Sequence, residues 1–137
     1  MTQVFADTFY WVALANPDDF RYHDAVRIDA ILKDATIITT DEVLVEFMTF
    51  FAGEPWQRGR AAATVRRLLV NPRIRVIPQS RDSFLAGLDL YEARPDKGYS
   101  LTDCISMQVM RREGVTDVLT NDRHFEQEGF RALFRDS

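Results

Sequence analysis

The sequence predicts an α/β fold, with about five mainly parallel strands flanked by helices. Short apolar or β-branched runs alternate along the chain with longer segments whose apolar residues recur at helical spacing. This alternation favours a parallel sheet that is covered on both faces and joined by right-handed crossovers. With 137 residues, 46% of them hydrophobic, the chain can build one core but is too short for two domains of ordinary size. We therefore expect one domain over residues 1–137.

The first half of the chain predicts two strands and four helices. Both strand segments are short and bounded by polar residues, as buried strands are; they are QVFA (3–6) and ATIIT (35–39). The helical segments, in order, are residues 8–16, 19–34, 41–52 and 57–70. Pro17 and Pro72 follow the first and the last of these helices, Thr40 can cap the third, and Gly53 is its expected stop.

The second half continues the same alternation. The segment RIRVI (73–77) predicts a third strand, and Ser80 opens a helix over residues 81–93. After a loop at residues 95–98, Ser100 opens another helix, which Gly114 closes. The strand DVLT (117–120) follows, and a short helix and the segment RALF (131–134) complete the predicted fold.

Composition excludes several classes of protein. One cysteine, Cys104, excludes an internal disulfide framework, and no C-x-x-C or H-x-x-x-H spacing indicates a zinc site. The N-terminus lacks the basic stretch and apolar core of a signal peptide, and no apolar run approaches the roughly 20 residues that span a bilayer. We expect a soluble cytoplasmic protein without a membrane partner.

Charge is distributed unevenly along the chain. The net charge of −4 argues, as an average, against a nucleic-acid partner. However, no acidic residue lies between Glu54 and Asp82, and the arginine-rich segment 55–81 contains Arg58, Arg60, Arg66, Arg67, Arg73, Arg75 and Arg81. Arginine suits bidentate contacts to phosphate or carboxylate, whereas a solvated helix face is the simpler explanation. Both interpretations stay open at this point.

Two aspartates follow predicted strands. Asp7 comes after the first strand and Asp122 lies just beyond DVLT, so a parallel sheet places both at the carboxyl edge, where ligands bind in such folds. Each can also serve as a helix cap or turn residue. Asp103, three residues after Ser100, fits the S-x-x-D capping pattern. Capping and site roles are therefore alternatives for all three.

Glu46 is harder to explain as a surface residue. At helical spacing it shares a face with Val43 and Phe50, where an unpaired charge is costly. Acids that converge on one cleft raise each other's proton affinity unless a cation neutralises them. Oxygen ligands without a His/Cys cluster select Mg²⁺ or Mn²⁺, and pairs of such ions support phosphodiester cleavage.

Four segments together resemble the PIN-domain nucleases, specifically the VapC toxins of toxin–antitoxin pairs. They are FADTFYWVAL with Asp7, TTDEVLVE with Glu46, SLTDCISMQVMRREG with Asp103, and VLTNDRHFEQEGF with Asp122. The resemblance covers essentially the whole chain and depends on the order and context of the motifs. It implies a sheet of about five strands, an Mg²⁺- or Mn²⁺-dependent endoribonuclease with an RNA substrate, an antitoxin that occludes the site, and a homodimer.

The resemblance also implies roles for individual residues. Asp7, Glu46, Asp103 and Asp122 would be the metal-binding carboxylates, and Thr120 would be a hydroxyl that orients one of them or a bound water. Thr8 would assist similarly. Two positions depart from the family pattern: Phe9 stands where a smaller residue is usual, and Asn121 where an apolar or aromatic one is frequent.

Other residues have simpler interpretations. Cys104 is expected in the core, and His124 at a helix start or in packing, with phosphate contact as the alternative. Tyr10 and Trp11 suit the core or a dimer surface. Candidate dimer-forming exposed aromatics are Phe50, Phe51 and Trp56.

Other function classes compete with the nuclease hypothesis. An aspartate-nucleophile phosphatase would need a second acid where Phe9 stands, and a phospho-accepting receiver domain lacks its acidic pair and its lysine. The remaining alternative is a non-catalytic module that holds an acidic partner chain or RNA through the segment 55–81.

Overall fold

The computed structural model describes residues 2–135, which form five strands and seven helices. The strands are β1 (Gln3–Ala6), β2 (Thr36–Thr40), β3 (Ile74–Ile77), β4 (Asp117–Leu119) and β5 (Arg131–Ala132). The helices are α1 (Thr8–Ala15), α2 (Tyr22–Ile31), α3 (Asp41–Phe50), α4 (Pro55–Val70), α5 (Arg81–Ala93), α6 (Leu101–Glu113) and α7 (Arg123–Gln127). The predicted α/β architecture is confirmed.

The strands form one sheet in the order β3-β2-β1-β4-β5, and all four pairings between them are parallel. The central strand β1 is buried on both faces, since the consecutive residues Val4, Phe5 and Ala6 are all fully buried. Ala6 pairs with Leu119 of β4. The residues that follow these two, Asp7 and Thr120, are therefore neighbours at the carboxyl edge of the sheet.

Several predicted boundaries shift in the structure. Helix α2 is shorter than the predicted 19–34, and α4 begins at Pro55 rather than Gln57, because Glu54 caps it by accepting hydrogen bonds from the backbone. Gly53 is not the stop of α3, which ends at Phe50 with Phe51 as its C-cap. Gly114 closes α6 as predicted, with a left-handed φ of 70°.

Buried and exposed aromatic residues partly match the prediction. Tyr10 and Trp11 belong to the core, being 0% and 4% exposed. Phe50 and Trp56 are exposed as expected. Phe51 is buried instead, because it follows Phe47 by four positions and its ring packs against the Phe47 ring, with 5.3 Å between centroids. Cys104 is fully buried as predicted, and burial raises the pKa of its thiol to about 11.

No helix within residues 2–135 is both long and apolar enough to cross a membrane.

Helices α5 and α6 approach each other closely at Gly87. A Cβ atom added to Gly87 would lie 2.4 Å from Ile105 Cγ1 and 3.1 Å from the Ile105 Cα. One turn further along α6, the Gln108 side chain donates a hydrogen bond to the Ala86 carbonyl at 3.1 Å. This contact fixes α6, whose first turn carries Asp103.

We expect Gly87→Ala to lower the free energy of unfolding by about 1–3 kcal/mol, because the added methyl group forces Ile105 and the α6 backbone to shift. The matched control is Gly59→Ala in α4, where an added Cβ meets no atom within 4 Å. That change should raise the free energy of unfolding by about 0.5–1 kcal/mol, because alanine lowers the backbone entropy of the unfolded chain. Urea denaturation of both variants tests this, and equal stability of Gly87→Ala and wild type would contradict the close packing.

Candidate active site

Asp7 occupies the N-cap position of α1 but does not act as a cap. Its backbone is extended, with φ −84° and ψ 167°, yet its side chain makes no capping hydrogen bond. Instead, Asp7 Oδ2 accepts a hydrogen bond from Thr120 Oγ1 at 3.0 Å, across the β1–β4 pairing. Both residues are buried, with Asp7 only 7% exposed. The capping alternative for Asp7 therefore does not explain its carboxylate.

Thr120 also connects Asp7 to Asp122. The same Oγ1 accepts a hydrogen bond from the Asp122 backbone N–H at 3.2 Å. Asp122 in turn caps α7, because its Oδ1 accepts from the His124 backbone N–H at 2.9 Å. The fully buried Thr120 hydroxyl thus fixes both the Asp7 carboxylate and the backbone of Asp122.

Asp103 caps its helix and also faces other acids. Ser100 Oγ accepts from the Asp103 N–H at 3.0 Å, and Asp103 Oδ2 accepts from the Ser100 N–H at 3.3 Å, which completes the predicted capping box. The same Oδ2 lies 3.9 Å from His124 Nδ1, which lies 3.3 Å from Asp122 Oδ1. Asp103 and Asp122 therefore share one cleft although they come from different helices.

Glu46 reaches the cleft from the middle of α3. It is half-buried, and its Oε1 accepts a hydrogen bond from Thr8 Oγ1 at 2.6 Å. Thr8 is the first residue of α1, directly after Asp7. This hydrogen bond compensates the Glu46 carboxylate for the water contacts that it loses in its half-buried position.

Burial and neighbouring acids raise the pKa of Asp7 and of Asp103. Burial raises the pKa of Asp7 to about 7, and the charges of Asp103 and Glu46 add to the shift, while hydrogen bonds from the Thr8 backbone and the Thr120 hydroxyl oppose it. Burial also raises the pKa of Asp103, followed by the charges of Asp122 and Glu46. The acids selected from the sequence are therefore close enough for their charges to interact.

The described part of the chain supplies no Lys or Arg partner to this cluster. Its Lys/Arg ion pairs all involve other acids, and the imidazole of His124 lies close to two of the four carboxylates, those of Asp103 and Asp122. Carboxylates that repel one another, with hard oxygen donors and a hydroxyl support, suit a divalent ion such as Mg²⁺ or Mn²⁺. Asp103, Asp122 and His124 offer donor atoms that all lie within 4.8 Å of one another.

His124 lies beside the acids, although the sequence analysis did not place it among the metal-binding residues. The expected roles at a helix start and in packing are both present, because it lies in the first turn of α7 and its ring contacts Tyr99 edge to face. Its approach to Asp103 is a contact across 21 positions of the chain that no local pattern encodes. The available signal was its position two residues after Asp122.

Phe9, one of the two departures from the family pattern, lies in the first turn of α1, two residues after Asp7. The Phe9 ring packs edge to face on Phe134 at 5.0 Å between centroids, and the Arg21 guanidinium lies 5.8 Å from the Phe9 ring centroid. Phe9 is thus accommodated by aromatic and cationic packing.

The arginine-rich segment is divided in the structure. Arg73 is structural, because its guanidinium donates to the Ala35 and Leu32 carbonyls and to Asp29 Oδ1 at 3.2, 2.7 and 3.1 Å. Arg75 pairs with Glu113. Four exposed arginines lie on α4. Arg58 donates to the Ala52 carbonyl at 3.0 Å, Arg60 lies 4.8 Å from the Trp56 ring centroid, and the other two are Arg66 and Arg67. Only part of the segment is available to a partner.

Comparison with known proteins identifies the family. The PIN domain family model matches residues 4–130. The chain belongs to the PIN-domain family. A PIN-domain relative, the 23S rRNA-specific endonuclease VapC20 of Mycobacterium tuberculosis, is 30% identical over 127 residues, which are 93% of this chain and 95% of the relative. The resemblance to PIN domains and VapC toxins is therefore confirmed.

Solved structures show the same PIN fold. The crystal structure of Mycobacterium tuberculosis VapC20, described as a sarcin-ricin loop cleaving toxin, has a TM-score of 0.81 at 29% identity and covers 93% of this chain and 95% of that one. VapBC2 from Rickettsia felis, bound to a DNA fragment from its promoter, gives 0.67 at 18% identity, with 96% of each chain covered. FitAcB from Neisseria gonorrhoeae gives 0.65 at 15% identity, with 94% and 95% covered. The last two show the shared fold alone.

The raised pKa of Asp7 predicts a pH-dependent effect of Asp7→Asn in metal-free protein. The unfolded carboxyl loses its proton near its ordinary pKa of 3.8 and the folded one near 7, so the folded state binds more protons between these values. Stability of the wild type should therefore fall across this interval as pH rises. With chelator at pH 8, Asp7→Asn should be more stable by an amount on the order of a few kcal/mol, and the difference should shrink by pH 4.

Urea denaturation at both pH values measures this difference. Asp89→Asn, which neutralises an exposed carboxylate on α5, is the matched control and should change stability little at either pH. A variant-to-wild-type difference that does not depend on pH would contradict the raised pKa.

Proposed function

We propose that this protein is an Mg²⁺- or Mn²⁺-dependent endoribonuclease that acts as the toxin of a toxin–antitoxin pair. Asp7, Glu46, Asp103 and Asp122 are the metal-binding carboxylates in this proposal, and Thr120 is the supporting hydroxyl. The observation that carries it is the convergence of four carboxylates, from four separate parts of the chain, on one cleft without an Arg or Lys partner among the described residues. The rRNA endonuclease activity of the relative VapC20 supports the RNA substrate.

Each acid is held in place before any ligand binds. Thr120 orients Asp7, Thr8 orients Glu46, and the Ser100 capping box orients Asp103. Such hydrogen bonds restrict the rotamers of the carboxylates, so that little reorganisation accompanies ligand binding. A bound divalent ion would lower the pKa of a water molecule and neutralise charge on the scissile phosphate.

The raised pKa of Asp7 makes ion binding and deprotonation of this residue coupled events. A carboxyl that holds its proton near neutral pH must release it when it becomes a ligand. Cleavage in this proposal therefore increases with pH through the neutral range.

The proposed partners follow from the family. The cognate antitoxin binds the toxin and occludes the cleft, and a second copy of the chain forms a homodimer in which exposed Phe50 and Trp56 are candidate contacts. Light scattering of the purified protein at working concentration tests the dimer, and a monomer would contradict it. We also propose that the protein acts in the cytoplasm, where its RNA substrate is found.

The central test is cleavage of total RNA by purified protein with Mg²⁺, with Mn²⁺ and with chelator. We expect metal-dependent cleavage that Asp103→Asn reduces by at least about 100-fold, because the variant loses a charged ligand. Asparagine can still accept the Ser100 hydrogen bond, so the capping box and the fold should persist.

Asp89→Asn serves as the control, since this exposed carboxylate on α5 lies outside all four motifs and should keep wild-type activity. Circular dichroism of each variant reports the fold. Full activity of Asp103→Asn, or cleavage that persists in chelator, would contradict the assignment.

The exposed arginines of α4 favour the second candidate function, a non-catalytic module that holds an acidic chain or RNA. Helix α4 has no acidic residue, and only Ala61 of its residues is buried. The charge reversals Arg66→Glu and Arg67→Glu should weaken binding of a phosphate-rich or acidic partner while leaving the core unchanged.

Gel-shift and cleavage assays on these variants separate two roles of the α4 arginines, contact with the RNA substrate and contact with a partner protein. Loss of RNA cleavage with intact folding supports substrate contact by α4, and loss of partner binding with intact cleavage supports an antitoxin-facing role. Arg27→Glu on α2 is the matched control, because Arg27 is an exposed arginine outside the segment 55–81.

A further inference from the structure

The imidazole of His124 places its ring nitrogen Nδ1 beside the acids of the cleft. Its Nδ1 is buried and has no hydrogen-bond partner within the described residues, although the side chain as a whole is 27% exposed. Two carboxylate oxygens lie nearby, Asp122 Oδ1 at 3.3 Å and Asp103 Oδ2 at 3.9 Å. A buried nitrogen that faces two acceptors without a hydrogen bond requires an explanation.

We propose that His124 Nδ1 is a ligand of the divalent ion, together with Asp103 and Asp122. Donor atoms about 2.1–2.2 Å from an octahedral ion lie about 3 Å apart when adjacent and about 4.3 Å apart when opposite. The two nitrogen–oxygen separations, 3.3 and 3.9 Å, lie between these two values, so both pairs of atoms are near enough to reach one ion after small side-chain movements. The inference rests on the proposed metal-dependent function and adds a ligand to it.

The imidazole is held in this position by its surroundings. The Tyr99 ring packs against it edge to face, with 5.2 Å between centroids, and the Tyr99 hydroxyl donates to Glu128 Oε2 at 2.9 Å. Glu128 is itself fixed, because Arg94 Nε and an Arg111 terminal nitrogen donate to it at 2.9 and 2.8 Å. These hydrogen bonds hold the pKa of Glu128 at about 2, so the carboxylate that accepts from Tyr99 stays ionised in the neutral range.

A nitrogen ligand changes the expected choice of metal. Magnesium prefers oxygen ligands, whereas imidazole suits transition metals such as Mn²⁺. The site should therefore bind Mn²⁺ more tightly than carboxylates alone would, and loss of His124 should reduce Mn²⁺ affinity by about tenfold or more with a smaller effect on Mg²⁺.

The chain contains two histidines, which makes a direct test practical. His23 lies exposed on α2, so the variant His23→Gln leaves His124 as the sole histidine. We would label this full-length variant with ¹⁵N-histidine, add Mn²⁺, and record electron spin-echo envelope modulation. A directly bound imidazole gives a ¹⁵N coupling to the manganese that a merely structural histidine does not.

Isothermal titration with Mn²⁺ and with Mg²⁺ complements the spectrum, with His124→Gln compared against His23→Gln. The proposal predicts a ¹⁵N coupling and a selective loss of Mn²⁺ affinity in His124→Gln. Mn²⁺ binding that Asp103→Asn weakens but that shows no ¹⁵N coupling would overturn the histidine ligand and leave the proposed carboxylate site intact. Absence of Mn²⁺ and Mg²⁺ binding in the wild type would overturn both.

Discussion

Burial of the Asp7 carboxylate at the carboxyl end of the central strand is the constraint on which the site depends. The strand β1 lies between β2 and β4 with every residue from Val4 to Ala6 fully buried, so the next residue emerges where water is scarce. A charge there requires compensation, and the paired strand provides part of it through Thr120. The parallel β1–β4 pairing thus determines both the location of the acid and the hydroxyl that supports it.

The capping and site roles of the acids turn out to be compatible. Asp103 accepts a hydrogen bond from the N-cap residue of α6, and Asp122 accepts one from the first turn of α7. These bonds fix both side chains, and the two acids still lie near each other. Asp7 differs, since it stands at a cap position without capping. Local patterns alone could not separate these cases, because the sequence S-x-x-D predicts the cap and is silent about what lies opposite it.

The sequence predicted the architecture well because strands and helices here follow strong local signals, such as Thr40, Ser80 and Ser100 as caps and Gly114 as a stop. It also selected four acids as candidate metal ligands, through their order and context. What it missed depends on the tertiary structure. Phe51 rather than Phe50 packs against Phe47, and Arg73 donates a hydrogen bond to the Ala35 carbonyl. The His124 imidazole lies close to Asp103, 21 positions earlier in the chain. Each of these is set by tertiary packing that residue types do not encode.

The distribution of charge links the site to its surroundings. An acidic cleft repels RNA until its charge is neutralised, whereas the exposed side of α4 carries Arg60, Arg66 and Arg67 without an acid in the helix. A net charge of −4 therefore conceals two surfaces of opposite sign on one small domain. In the proposed reaction a divalent ion would have to neutralise the cleft before a phosphate could approach it, and Asp7, Asp103 and His124 are among the residues that would hold this ion.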